Sequence, residues 1–308
     1  MCYYNAEVSI ANRKEAEKMT EKAVLPTYKR QRFLLSFISQ LPDEIAITNL
    51  QKLVFLYSMR ENSNFYEFIP YKYGPYSFQL REDVDVLRNN GFLIRGALGI
   101  AASKEYRGET SFSIAAERGD ALIRKAYREY PYYAINSEII NRIFPDDAIM
   151  REKIECEKGL YKQTEQVLFT IGYEGVSFEA FMNILVKNDV RLLCDVRKNP
   201  FSRKFGFTKD RLEQVTKVIG IKYLHIPSLG IESAKRKSLN SQDDYLALFN
   251  EYKQDLPNRK YHLDYLYRLL SSNVRIALMC FEHNPEMCHR HIIRDYLCDN
   301  HAIRSVDL

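Results

Sequence analysis

At 308 residues, 46% hydrophobic and 28% charged, the chain has an ordinary globular composition and the length for two domains. Its net charge of +5 permits a nucleic-acid partner without requiring one, because local patches outweigh the total. Six scattered cysteines without a CxxC pair suit a reducing cytosol. With no apolar run of membrane-spanning length and no basic-then-apolar leader, the expectation is a soluble cytoplasmic protein with no membrane partner.

Residues 1–26 are polar and weakly patterned and read as a flexible leader. The opening Met1-Cys2-Tyr3-Tyr4-Asn5-Ala6 would expose an N-terminal thiol after methionine removal. Over that handful of residues it resembles the SOS-response-associated peptidase family, with no match downstream.

Residues 27–130 are expected to form a mainly helical, winged-helix-like domain. Tyr28–Gln40 and Ala46–Asn62 have helical apolar spacing. Phe65–Pro70 reads as a short strand, and Tyr73-Gly74-Pro75-Tyr76-Ser77 as a turn into a helix that stops at Gly91. Phe92–Ile94 and Thr110–Ile114 read as the strands of a wing, and Glu117–Tyr130 as another helix. The stretch LQKLVFLY, YKYGPYS, LREDVDVLRNNGFLI resembles small bacterial winged-helix proteins related to SocA-type (Panacea) antitoxin domains, over residues 47–95. That resemblance implies contact with DNA or with a protein partner. The helix Ser77–Asn90 carries Arg81 and Arg88 but also Glu82, Asp83 and Asp85, which favours protein at least as much as DNA.

Residues 131–165 read as a helical connector, broken at Pro131 and Pro145, with a charged helical stretch over Ala148–Lys162. Beyond it, in 166–308, four apolar runs alternate with helical patterns: Val167–Ile171, Leu192–Val196, Tyr223–Ile226 and Ile276–Phe281, separated by Phe178–Val186, Lys209–Val218 and Asp244–Leu270. Ser305–Leu308 can begin a fifth strand. Such alternation predicts an α/β, Rossmann-like domain: a mostly parallel sheet flanked by helices, with its ligand at the carboxyl ends of the strands.

Those ends are where the chemistry-bearing residues lie. Gly172-Tyr173-Glu174-Gly175 follows the first run, Asp195 to Phe207 the second, Pro227-Ser228-Leu229-Gly230 the third, and Glu282 to Arg290 the fourth. Concentrating polar and glycine-rich loops on one edge points to a ligand or catalytic site. The four segments TIGYEG, DVRKNPFSRKFGF, HIPSLG and CFEHNPEMCHR resemble the bacterial "domain of unknown function 488" family over 166–308. The resemblance implies a small cytosolic α/β protein and names no reaction.

The residue types suggest one. Arg197, Ser202 and Arg203, with Arg290 and His289 from another loop, suit phosphate oxygens, which arginine grips in bidentate fashion. Glu282 and Asp195 are candidates for acid–base work, with Cys288 or Tyr173 assisting. Cys288, near a helix start and beside Arg290, is a candidate thiolate nucleophile, although residues adjacent on a helix point about 100° apart, which argues against a direct couple with His289. A metal reading would use Cys280, Cys288 and one of His283, His289 or His291. The unfamiliar Cys-x7-Cys spacing speaks against it, so no metal and no cofactor is expected. With neither a GxGxxG fingerprint nor a Walker A loop, nicotinamide chemistry and nucleotide-driven phosphoryl transfer are disfavoured. The leading expectation is an enzyme that hydrolyses or transfers at the sugar or base of a nucleotide or nucleic acid, DNA more than RNA. The rival is a non-catalytic winged-helix regulator whose α/β domain senses a phosphorylated ligand.

Overall fold

The computed structural model describes residues 25–104, 106, 111–236 and 241–308. The leader and Cys2 lie outside that range. The chain divides into two compact units that do not follow one another in sequence: residues up to Ile47 with Leu80–Ile114, and Thr48–Gln79 with Ala115–Leu308.

In the first unit, α1 (Lys29–Ser39) buries Phe33, Leu34, Leu35, Phe37 and Ile38. Phe33 and Phe37 meet Phe112 ring to ring at 5.4 and 5.5 Å. Asp83 is buried and accepts from Arg30 Nε at 2.7 Å and Gln31 Nε2 at 2.8 Å. The expected wing pairs differently from its sequence reading. Leu93–Arg95 pairs antiparallel with Ile100–Ala102, because Gly96 and Gly99 close a tight turn, with Gly96 N donating to Gly99 O at 2.9 Å. Ser111–Ile114 is not a strand, and Thr110 lies outside the described residues.

The second unit is built on a five-stranded, all-parallel sheet. In chain order its strands are β5 (Val167–Gly172), β6 (Leu192–Asp195), β7 (Lys222–His225), β8 (Arg275–Cys280) and β9 (Ser305–Asp307), numbered after the short strands β1 (Ile69–Tyr71), β2 (Gly74–Tyr76), β3 (Leu93–Arg95) and β4 (Ile100–Ala102). The spatial order is β7-β6-β8-β5-β9. Gly172 lies opposite Cys280, and Asp195 opposite both Met279 and His225, so the carboxyl ends share one edge as the sequence predicts.

Side chains alternate along these strands and build a core on each face. Val167, Phe169 and Ile171 face Phe181, Leu185, Leu212 and Val215 of the helices Phe178–Lys187 and Lys209–Val218. Leu168, Leu192, Ile276 and Leu278 face Leu248, Leu263, Leu266, Ile293 and Leu297 of the helices Gln242–Asp255, Lys260–Asn273 and Arg290–His301. The long helical pattern expected over Asp244–Leu270 is two helices, because Pro257 lacks the N–H needed to continue the first. With the helices of residues 29–159, eleven α-helices occur among the described residues. None is long and apolar enough to cross a membrane.

The hairpin β1–β2 packs on the same unit. Ile69 and Phe78 join the core of the first sheet face, and Asn183 Nδ2 donates to Phe68 O at 2.8 Å. Glu179 is buried and accepts from Gln79 N at 2.9 Å and Ser77 Oγ at 3.2 Å. Burial pushes its pKa up, opposed by those hydrogen bonds.

Candidate active site at the strand ends

The helices after β5 and β6 leave toward one face, whereas the helix after β8, lying between those strands, leaves toward the other. Loops that part in opposite directions open a crevice, the usual ligand position in an open α/β sheet. A pocket of about 470 Å³ lies there, lined by Tyr173, Ser202, Arg203, Arg236, Cys280 and His289, with Phe201 and Phe281 on its rim. A cavity of about 480 Å³ between the helices Gln242–Asp255 and Arg290–His301 is lined by Tyr245, Phe249 and Tyr296, away from the strand ends.

Two glycines let the loops meet. A Cβ on Gly172 would stand 1.9 Å from Glu282 O, and one on Gly230 would stand 2.2 Å from Lys198 N. Both approaches are to backbone, which cannot rotate aside. Gly172→Ala is therefore expected to push residues 282–283 outward and to cost about 1–3 kcal/mol in chemical denaturation, in the range of other overpacked sites. An unchanged midpoint would contradict that approach.

Asp195 and Arg197 face each other rather than a ligand. Asp195 is 0% exposed. It accepts from Arg197 Nε at 2.8 Å and Nη2 at 2.6 Å, and from Tyr223 Oη at 2.6 Å. The remaining Arg197 donors reach Tyr173 Oη at 2.9 Å, Phe207 O at 3.0 Å and Pro200 O at 3.2 Å. Burial opposes the guanidinium charge, but Asp195 and Tyr173 more than offset it and raise the Arg197 pKa. Tyr173 is buried and stacked on Phe207 at 4.3 Å. This network ties the β6 loop to the β5 loop. It leaves Asp195 no free oxygen for proton transfer and Arg197 no free edge for phosphate.

Arg290 is likewise turned inward. It is 1% exposed, with Nε donating to Thr170 Oγ1 at 3.1 Å, Nη2 to His283 O at 2.8 Å and Nη1 to Glu282 O. Its guanidinium shapes the 282–283 loop. Of the three arginines expected to gather around an anion, only Arg203 is exposed on the pocket wall. Ser202 lines the pocket too, its Oγ accepting from Lys204 N at 3.1 Å.

Deeper in, a thiol–imidazole cluster comes together. Cys280 ends β8, and Cys288 and His289 immediately precede the helix that starts at Arg290. All three are buried. Each sulfur lies 3.8 Å from His289 Nδ1, and the three atoms fall within 4.8 Å of one another. The helical-angle objection does not apply, because Cys288 is extended (φ −138°, ψ 135°). His289 Nε2 bonds Val196 O at 3.0 Å, so that nitrogen carries the proton and Nδ1 presents its lone pair to the sulfurs. Cys280 Sγ also donates to Glu282 Oε2 at 3.4 Å. Within the pair, burial works against a Cys288 thiolate, but the Cys280 hydrogen bond, His289 and Arg290 outweigh it and lower its pKa. Cys280 is pushed up by that same hydrogen bond and by burial.

Arg236 was not singled out in the sequence, where it is one of a Lys235-Arg236-Lys237 run. It donates from Nη1 to Glu282 Oε1 at 2.5 Å and from Nη2 to His289 Nδ1 at 3.0 Å, while its buried Nε has no partner among the described residues. Burial, followed by the Cys288 charge, raises the Glu282 pKa against the pull of Arg236.

Residues 177–297 match the family model described as "Domain of unknown function DUF488". The DUF488 match covers the DVRKNPFSRKFGF, HIPSLG and CFEHNPEMCHR motifs and stops short of TIGYEG and of the N-terminal residues. It therefore contains most of the pocket and the whole Cys280–Cys288–His289 cluster. No curated protein and no solved structure matches the chain.

Proposed function

We propose that this protein is a cytoplasmic enzyme acting on a nucleotide or single-stranded nucleic acid, by hydrolysis or transfer at the sugar or base. The observation that carries the reading is the composition of the strand-end pocket. It sets Arg203 and Arg236 beside two outward-facing rings, Phe201 (69% exposed) and Phe281 (42% exposed). Guanidinium groups suit phosphate and exposed phenyl rings suit the face of a base. Lys198, Asn199 and Ser202 add polar contacts along the same wall. Of the two carboxylates at this edge, Glu282 keeps the acid–base role, because its side chain is 17% exposed whereas Asp195 is fully buried under Arg197 and Tyr223. In hydrolysis the bond between sugar and base breaks, Glu282 supplies the proton to the departing base, and water adds to the sugar carbon and gives its own proton back to the Glu282 carboxylate.

The N-terminal helices and the β3–β4 hairpin fit a winged-helix-like module that would bind DNA or a protein partner.

The test is binding of a nucleotide and of single-stranded DNA across salt concentrations, with inorganic phosphate alongside. Arg203→Ala is expected to weaken all three ligands by about tenfold or more, in line with the loss of a charge-assisted hydrogen bond, and to flatten the salt slope. Phe201→Ala should weaken nucleotide by about 1–3 kcal/mol and leave inorganic phosphate unaffected. No binding by the unaltered protein would end the phosphate reading. Tight binding without released base or transferred sugar would favour the ligand-sensing regulator.

A further inference from the structure

We propose that Cys280, Cys288 and His289 form a binding centre for a divalent, borderline-soft metal ion of the zinc class, with a fourth position open to the strand-end pocket. The argument is geometric and does not rest on the nucleotide reading. Zinc bonds of about 2.3 Å to sulfur and about 2.0–2.1 Å to nitrogen, at tetrahedral angles, place sulfur and nitrogen about 3.6 Å apart and two sulfurs about 3.8 Å apart. Here both sulfur–nitrogen distances are 3.8 Å, and no pair of the three donor atoms exceeds 4.8 Å. A single ion can therefore reach all three once side-chain rotation draws the donor atoms together by up to about an ångström.

The surroundings match what such a ligand set requires. A ligating imidazole usually donates its other N–H to a carbonyl or carboxylate, which fixes the tautomer. Val196 O does this for His289 Nε2, leaving Nδ1 as the donor toward the sulfurs. Cys280 and Cys288 come from the end of β8 and the approach to the next helix, both anchored in the core, so the cradle is rigid. Two thiolates would neutralise a divalent ion, so no net charge is buried.

The group now aimed at this cluster is itself a cation. Arg236 donates to His289 Nδ1, yet its Nε is buried without a partner among the described residues, and its side chain is 26% exposed. It can withdraw toward the pocket mouth while keeping Glu282. Cys280 and His289 line the pocket, whereas Cys288 lies behind them. Three protein ligands with the remaining position facing a cavity is the arrangement of a catalytic rather than a structural zinc site.

The test uses the full chain, reduced and without nucleotide, titrated with Co²⁺ and then Zn²⁺. The expected result is one Co²⁺ per chain with thiolate-to-cobalt charge-transfer absorption, displaced by one equivalent of Zn²⁺. Cys280→Ser, Cys288→Ser and His289→Ala should each lower Co²⁺ affinity at least tenfold, whereas Cys298→Ser, outside the cluster, should not. Zn²⁺ should also raise the unfolding temperature of the unaltered chain, as ligands of the native state do. That measurement and the cobalt spectrum need no variant, so a misfolded variant does not shield the proposal. Absence of charge-transfer absorption at saturating Co²⁺ would overturn it. So would equal loss in Cys298→Ser, or a Cys280–Cys288 disulfide in protein kept under reducing conditions, seen as a mass lighter by two hydrogens. Because metal uptake is read without a nucleotide, its failure leaves the nucleotide proposal standing, and the reverse also holds.

Discussion

Replacing Lys52 by methionine is expected to stabilise the protein by about 2–4 kcal/mol at pH 7. Lys52 lies on the helix Ile47–Glu61 and is 1% exposed. Its Nζ reaches one acceptor, Pro75 O at 3.4 Å, and no carboxylate pairs with it among the described residues. Burial pulls its pKa down to about 7. In the unfolded chain the amine holds its proton to about pH 10.4. Between these values the unfolded state binds more protons, so stability should climb as pH rises from 7 toward 10 and be flat with respect to this group below 7. Methionine keeps most of the side-chain volume and has no proton to lose. Urea unfolding at pH 7 and pH 9 should show the unaltered chain gaining stability with pH through this group, and Lys52→Met showing a higher midpoint without that gain. Equal midpoints for the two proteins at pH 7 would refute the account.

The opposite effect is expected at Asp195. Asp195→Ala would leave Arg197 buried without its counter-charge and Tyr223 Oη without its acceptor. Removing one partner of a buried ion pair typically costs about 3–5 kcal/mol. Asp195→Asn keeps an acceptor for Tyr223 and should cost less. A carboxylate acting mainly as an acid or base would give the reverse signature, with activity lost at unchanged stability. Denaturant midpoints for the two variants separate these cases.

That contrast marks where sequence stops informing on this molecule. The four apolar runs, with Ser305–Leu308, located the five strands of the sheet within a residue or two; for the three central strands this is because a strand buried on both faces has no alternative composition. The polar edge followed from the same runs. What residue type could not convey was direction. Arg197 and Arg290 have the composition of phosphate ligands, but one folds onto Asp195 and the other onto two backbone carbonyls. Nothing local distinguishes a guanidinium facing solvent from one serving as an internal strut. The thiol cluster held a readable signal that spacing arguments obscured. Ile276, Leu278 and Cys280 alternate onto one face of β8, the face covered by the helix that Cys288 and His289 precede. Period-two reading places the first cysteine there. The extended backbone at Cys288, which brings its sulfur beside the imidazole, is visible only in three dimensions.

The interleaving of the units bears on how the protein can be cut for the laboratory. A fragment trimmed to residues 177–297 would omit β5, which lies between β8 and β9, and β9 itself. It would strip Phe78 from Phe178 and remove the hydroxyl and amide that donate to Glu179, presenting an apolar face with a stranded carboxylate at its centre. It would also remove Thr170, the acceptor for Arg290 Nε, and so loosen the loop that carries Glu282. Such a fragment should aggregate, and its inactivity would report on the cut rather than on the chemistry.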